Sequence, residues 1–193
     1  MGGAEKSLLE IARHLDSEHF KSQLLAMEHG QLTESFEANG IETHIASFPF
    51  FSKRRPWIYL KAIGKIVQII QTNQIDLIHV NCDRAVPHAV LAAKLTRRKV
   101  ICHVRDMVRA WFLPKYVWYL NRSDRIIANS IATMKYCIQS GMDEKLILVL
   151  YSYVDTEAFS NSDSKMREVQ RKEWGLSPDH VAVGLIGSIE YRK

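Results

Sequence analysis

Apolar residues recur along this chain in two rhythms, and the alternation between them predicts its elements. In AEKSLLEIARHL, residues Leu8, Leu9, Ile11, Ala12 and Leu15 make one stripe of a helix. SQLLAM is a short apolar block of strand type, QLTESFEANG a helix closed by Gly40, and IETHIASF a strand with alternating faces. FPFFSKRRPW carries two prolines and a basic run, so it reads as a loop before the long amphipathic helix WIYLKAIGKIVQIIQTN. IDLIHV, KVICHV, DRIIANS, KLILVLYSYV and HVAVGLIG read as strands, the last of them buried. Between them AVPHAVLAAKL, WFLPKYVWYLNR, IATMKYCIQSG and SKMREVQRKEWGL read as helices, with Pro87 tolerable in a first turn. Strands that are apolar runs rather than clean alternations, each followed by a helix, predict an α/β fold. Its sheet is mainly parallel, with helices on both faces. NSDSKMREVQRKEWGLSPDH is the most polar stretch and reads as a boundary segment.

The pattern leaves one oddity. A glycine-rich turn in an open α/β sheet normally leaves the carboxyl end of a central strand, yet only Met1 precedes Gly2 and Gly3. The chain also stops at Lys193, where a new strand–helix unit is due. The reading is therefore of a chain truncated at both ends, lacking its first strand.

Composition narrows the classes. The 193 residues are 47% hydrophobic, enough for a core. A net charge of +5 suits phosphate-bearing or membrane-surface partners without requiring either. Cys82, Cys102 and Cys137 are widely spaced, which suits a reducing compartment and gives no disulfide framework. No signal peptide, no run of membrane-spanning length and no myristoylation signal is present, Lys6 standing where the last needs Ser or Thr. The expected location is cytoplasmic, possible periphery of a membrane included. The dinucleotide fingerprint, the Walker A lysine, G-x-S-x-G and H-E-x-x-H are all absent, and the eight histidines are scattered, so neither a metal site nor a hydrolase triad is expected.

Candidate chemistry collects at predicted strand ends, where parallel sheets bind ligands. His79 and Asn81 close IDLIHVN, with Asp83 and Arg84 following, and His103, Arg105 and Asp106 close ICHVRD. Alternation sets His79 with Asn81, and His103 with Arg105. The histidines can position a hydroxyl or shuttle a proton, or they are ordinary core histidines. An arginine can hold a carboxylate or phosphate by a fork. Asn129 can line the crevice, and Ser130 is first a candidate helix cap. Gly2 and Gly3 precede a helix whose free amides attract anions, Glu5 favouring the same dipole; a simple tight turn is the alternative. FFSKRRPWIYLK and RAWFLPKYVWYL interleave basic and aromatic residues, as segments at a bilayer interface do. No nucleic-acid-binding motif accompanies the charge.

Six landmarks in order, GGAEKSLLEIARHL, IDLIHVN, ICHVRD, DRIIANS, LVLYSYVDTEAF and VGLIGSIEYRK, resemble the N-terminal domain of GT-B fold retaining glycosyltransferases of family 4, the group 1 glycosyl transferases. The resemblance covers nearly the whole chain. It implies a Rossmann-like acceptor-side domain over residues 1–160, an interdomain segment and helix over 161–180, and the first strand of a nucleotide-sugar-binding domain over 181–193. The implied activity is transfer of a hexosyl group, with retention, from a nucleotide-diphosphate sugar to a glycan or lipid-linked saccharide in polysaccharide or cell-envelope biosynthesis. No metal or cofactor is implied. Gly2 and Gly3 match the glycine loop beside the donor phosphates. His103 lies where many members carry an active-site histidine, with His79 competing for that role. Lys193 matches a diphosphate-neutralising lysine. Ser188 stands where members carry an arginine, and Arg192 flanks the lysine instead. Ser152 and Tyr153 replace the usual Asn-Gly. The family's paired glutamates belong to the second domain and are not in this chain, so the chain alone is expected to be inactive. A nucleotide-sugar epimerase of the same architecture and a non-enzymatic α/β binding module are the alternatives.

Overall fold

A computed structural model of the chain describes residues 2–107, 113–154, 156 and 164–184. The chain divides into two compact units, Met1–Ser152 and Tyr153–Lys193.

In the first unit α1 (Gly3–His14) leads to β1 (Gln23–Ala26), α2 (Gln31–Glu37), β2 (Glu42–Ile45) and α3 (Pro56–Thr72). There follow β3 (Leu77–Val80), α4 (Val86–Thr96), β4 (Lys99–Val104), α5 (Pro114–Leu120), β5 (Arg125–Ala128), α6 (Ile131–Gln139) and β6 (Ile147–Val149). The boundaries follow local chemistry. Pro56 and Pro114 open their helices because a missing N–H costs nothing in the first turn. Gly40, at φ +72°, ends α2 by turning left-handed while the Ile41 amide donates to the Phe36 carbonyl. The expected strand over KLILVLYSYV is shorter than its apolar run, and Glu144–Leu146 is a 3-10 turn instead. Asp143 accepts from the Lys145 amide and sets that turn.

Every strand pair is parallel, as expected, but the ladders form two sheets. One is β1–β2 and the other is β3–β4–β5–β6 in that order. Among the described residues β1 and β3 each have a ladder on one side only. The four-stranded order runs in one direction, so right-handed crossovers set α4, α5 and α6 on the same face. There Val80, Val100, Cys102, Val104, Ile126 and Ala128 pack against Val90, Val117, Leu120 and Cys137. Ile126 and Leu120 have no exposed surface. A separate cluster of Leu9, Leu24, Ala26, Phe36 and Ile41 joins α1 and α2 to β1. A third cluster, built from Ile66, Ile69 and Ile70 of α3 with Ala46, Phe48 and Ala92, has both Leu25 of β1 and Ile78 of β3 packed against it, and so ties the two sheets together.

In the second unit α7 (Ser164–Glu173) ends near Gly175. Val181 and Val183 are almost fully exposed, and residues 181–184 are outside any strand. A strand needs a ladder partner, and none is present among the described residues of this unit. The rest of HVAVGLIG lies outside them.

Candidate functional site

The register of the four-stranded sheet decides which strand-end residues meet. His79 pairs with Ile101 and Val80 with Cys102, while His103 pairs with Ile127. His79 and His103 are therefore diagonal neighbours on one face, and it is the face opposite the α4–α6 core. The same alternation carries Asn81, Arg105 and Asn129 to that face at the strand ends. Side chains that the sequence grouped only within strands thus converge across three of them.

The N-terminal turn of α1 closes over this convergence. Asn81 donates to the Ala4 carbonyl at 3.2 Å. The Arg105 guanidinium donates to Asn81 Oδ1 at 2.5 Å and to Ser7 Oγ at 2.8 Å. Asn129 donates to the Arg105 carbonyl at 2.6 Å and accepts from the Thr133 hydroxyl at 2.8 Å. One arginine thus fastens a helix belonging to the β1–β2 layer onto the ends of β3 and β4. Its Nε and one Nη donate to the protein's own Asn81 and Ser7, contacts that the sequence reading of a carboxylate or phosphate fork does not include.

At the mouth of α1, Gly2 and Gly3 are exposed. The Gly2 amide donates to Glu5 Oε2 at 2.6 Å, so Glu5 caps its own helix. A Cβ built on Gly3 would meet nothing within 4 Å. The chain's own packing therefore does not demand glycine there, and the backbone stands open to whatever approaches it.

The two histidines form a pair. Their rings stack with centroids 5.5 Å apart and an interplanar angle of 24°. His79 Nε2 lies 3.3 Å from His103 Nδ1. His103 is 2% exposed, and its Nε2 is buried with no partner among the described residues. Burial, with the Arg105 charge behind it, holds the His79 pKa down at about 4. Burial first, then Arg105 and His79, hold that of His103 at about 3. Both rings are neutral at pH 7, so the pair can donate and accept hydrogen bonds but stores no proton.

Other candidates stand apart. Ser130 Oγ accepts from the Thr133 amide at 3.0 Å and is occupied as the cap of α6. Arg84 turns away to donate to the Phe48 carbonyl at 2.9 Å and to stack on Phe50 at 4.7 Å. Asp83 lies near Tyr116, whose pKa burial and that carboxylate raise. Asp106 is exposed beside Arg105. Arg192 and Lys193 lie outside the described residues. The sequence reading missed Ser7 and Thr133. Ser7 follows Gly3 by four positions, which puts both on one helix face, and that spacing is the signal that finds it. Among the described residues no cluster of metal-ligating side chains exists, and no helix is long and apolar enough to cross a membrane.

A family model described as Glycosyltransferase Family 4 matches residues 1–158. No curated protein sequence matches the chain. Among solved structures, HepE from Anabaena in complex with UDP and glucose superposes with a TM-score of 0.68 at 24% identity, covering 90% of this chain and 47% of that one. A glycosyltransferase from Rickettsia africae gives 0.73 at 19% identity, covering 92% and 47%. MurG from Acinetobacter baumannii gives 0.58 at 15%, covering 85% and 47%. At these identities the likeness is one of fold, the GT-B architecture, and the chain spans about half the length of each of these structures.

Proposed function

Because the chain belongs to Glycosyltransferase Family 4, we propose that it is the acceptor-side portion of an enzyme that moves a hexosyl group from a nucleotide-diphosphate sugar to a glycan or lipid-linked saccharide, with retention. The observation that carries the reading is the tie between the first turn of α1, whose Ala4 carbonyl accepts from Asn81, and the strand ends that carry the neutral His79–His103 pair. The HepE structures hold UDP, UDP with glucose, or UDP-glucose, which makes a uridine donor the first to try.

The chemistry asks for these parts. A nucleoside diphosphate leaving group gathers negative charge as the glycosidic bond breaks, and fixed amides meeting that charge lower the barrier. The exposed amides at Gly2 and Gly3 suit that task once the Glu5 carboxylate swings off Gly2. Arg192 and Lys193 are proposed to meet the same diphosphate. The neutral His103 Nε2, buried while the α1 mouth is closed, is proposed to hydrogen-bond a sugar oxygen once that mouth opens and so to fix the anomeric carbon against the acceptor hydroxyl. Asn81, Arg105 and Asn129 hold the helix and the strand ends in register for this.

The acceptor is proposed to arrive at an anionic membrane surface. Phe50, Phe51, Trp57 and Leu60 are each at least 60% exposed. Lys53, Arg54, Arg55, Lys61 and Lys65 lie among or just after them, and no acidic residue occurs between Glu42 and Asp76. Such a mixture suits headgroups and the acyl boundary. Sedimentation with phosphatidylglycerol vesicles should carry the protein down, and Trp57→Ser with Lys61→Gln should release it.

The test of the activity is a panel of labelled nucleotide-sugars offered to the product of the whole reading frame, with glycan and lipid-linked acceptors. Label in a lengthened acceptor supports the proposal. Label recovered only as an epimerised nucleotide-sugar turns the assignment to the epimerase of the same architecture. Recovery of unchanged donor across the panel counts against an enzyme.

A further inference from the structure

The His79–His103 contact constrains more than position. His79 Nε2 and His103 Nδ1 face one another at 3.3 Å, and both rings are neutral at pH 7. Exactly one proton can lie between them. If His79 supplies it, His79 is the Nε2–H tautomer, and the lone pair on His103 Nδ1 forces the His103 proton onto Nε2. If His103 supplies it, both rings become Nδ1–H tautomers and His103 Nε2 is a bare lone pair. The head-to-tail contact therefore makes the two rings share one tautomer. The first arrangement gives each ring the commoner form of a free neutral imidazole.

The surroundings do not oppose it. His79 is half-buried rather than sealed, so its Nδ1 can keep a lone pair there. His103 Nε2 has no protein partner among the described residues and is cut off from water. A polar atom left so costs about 1–3 kcal/mol, a cost that a ligand oxygen would remove. An N–H there suits a sugar oxygen that accepts, and a lone pair would repel it.

We propose that His79 is a positioning residue that locks His103 in its Nε2–H tautomer, so that His103 meets the substrate as a hydrogen-bond donor and not as a base. The part about substrate rests on the proposed transferase reading, whereas the tautomer does not.

The experiment is a long-range proton–nitrogen correlation spectrum of the histidine rings in the 15N-labelled chain at pH 7, with no substrate present. The expected spectrum has His103 protonated at Nε2 and accepting at Nδ1. In His79→Leu the His103 signals should move to the averaged positions of a tautomer mixture. In His79→Gln, whose carboxamide can donate, they should return toward the wild-type positions. A wild-type His103 protonated at Nδ1 overturns the proposal, as does a His79→Leu spectrum in which the His103 tautomer is unmoved. If His79→Leu does not fold, the wild-type spectrum alone decides between the two tautomers. Because no turnover is measured, this result stands apart from the donor panel. A locked Nε2–H tautomer in a protein that transfers no sugar would leave the lock intact and remove only its use.

Discussion

The two sheets of the first unit are both parallel, yet they are held by different means. β4 and β5 have neighbours on both sides, and their inward residues are sealed beneath α4, α5 and α6. Among the described residues β1 and β2 pair only with each other, and part of their cohesion is polar: Gln23 donates to Glu42 at 3.1 Å and lies 3.1 Å from the His44 ring. The four-stranded sheet carries the burial, and the two-stranded sheet carries the helix whose N-terminus is open. The candidate site lies where they meet, on the sheet face left free by the main core. There α1 is fastened by Asn81 and Arg105, whereas elsewhere α3 ties the two sheets by apolar packing. A helix mouth on the less buried layer can shift without unfolding the better-buried one, as ligand-binding segments commonly do.

Acid should break this comparison hardest. His79, His103 and His88 all belong to the four-stranded side, and burial depresses each of them. Their unfolded forms take up protons near pH 6.5, while folded His79 and His103 resist down to about 4 and about 3. The unfolded state therefore binds more protons in that window, and stability falls as pH drops. The slope approaches about 1.4 kcal/mol per pH unit for each such histidine. Urea unfolding at pH 7 and pH 5 should show the loss, and His103→Phe should flatten it. An unchanged pH slope in that variant would contradict the assignment.

Core truncation comes next. Ile126→Ala should cost about 4 kcal/mol, near the upper part of the usual range, because nothing around a fully buried site can collapse into the space. Leu24→Ala in the smaller cluster should cost about 2 kcal/mol. Hydrogen exchange should rank likewise, with β4 and β5 amides protected longer than those of β1 and β2. Equal protection would mean that the sheets unfold as one.

Arg105→Leu addresses the joint itself. It removes the bonds to Asn81 and Ser7 and should cost about 2 kcal/mol, with exchange rising in the first turns of α1 before anywhere else. Ser7→Ala takes away one of those bonds and should cost about 1 kcal/mol. If Ser7→Ala proves the worse of the two, the arginine is not the clasp.

The elements were legible because helix and strand periods differ and because each strand–helix unit is local. Strand-end placement was legible too: an apolar run that closes on His79 and Asn81, or on His103 and Arg105, has its polar residues at the ligand end. What pairing does across strands was not legible. Nothing in IDLIHV or KVICHV says that His79 stands diagonal to His103, because register is set by packing elsewhere. The division into two sheets has the same origin. Arg84 looked like a crevice residue by position, but Phe48 and Phe50, far away in sequence, claim it. Ser130 resolved toward the cap that its place before a helix suggested.

The most direct test is the initial rate of sugar transfer by the product of the whole reading frame, wild type against His103→Phe, each shown to be folded. The account predicts a fall in kcat of about 10-fold, the size expected for loss of one neutral hydrogen bond that positions the sugar. A variant that transfers sugar at the wild-type rate would contradict it.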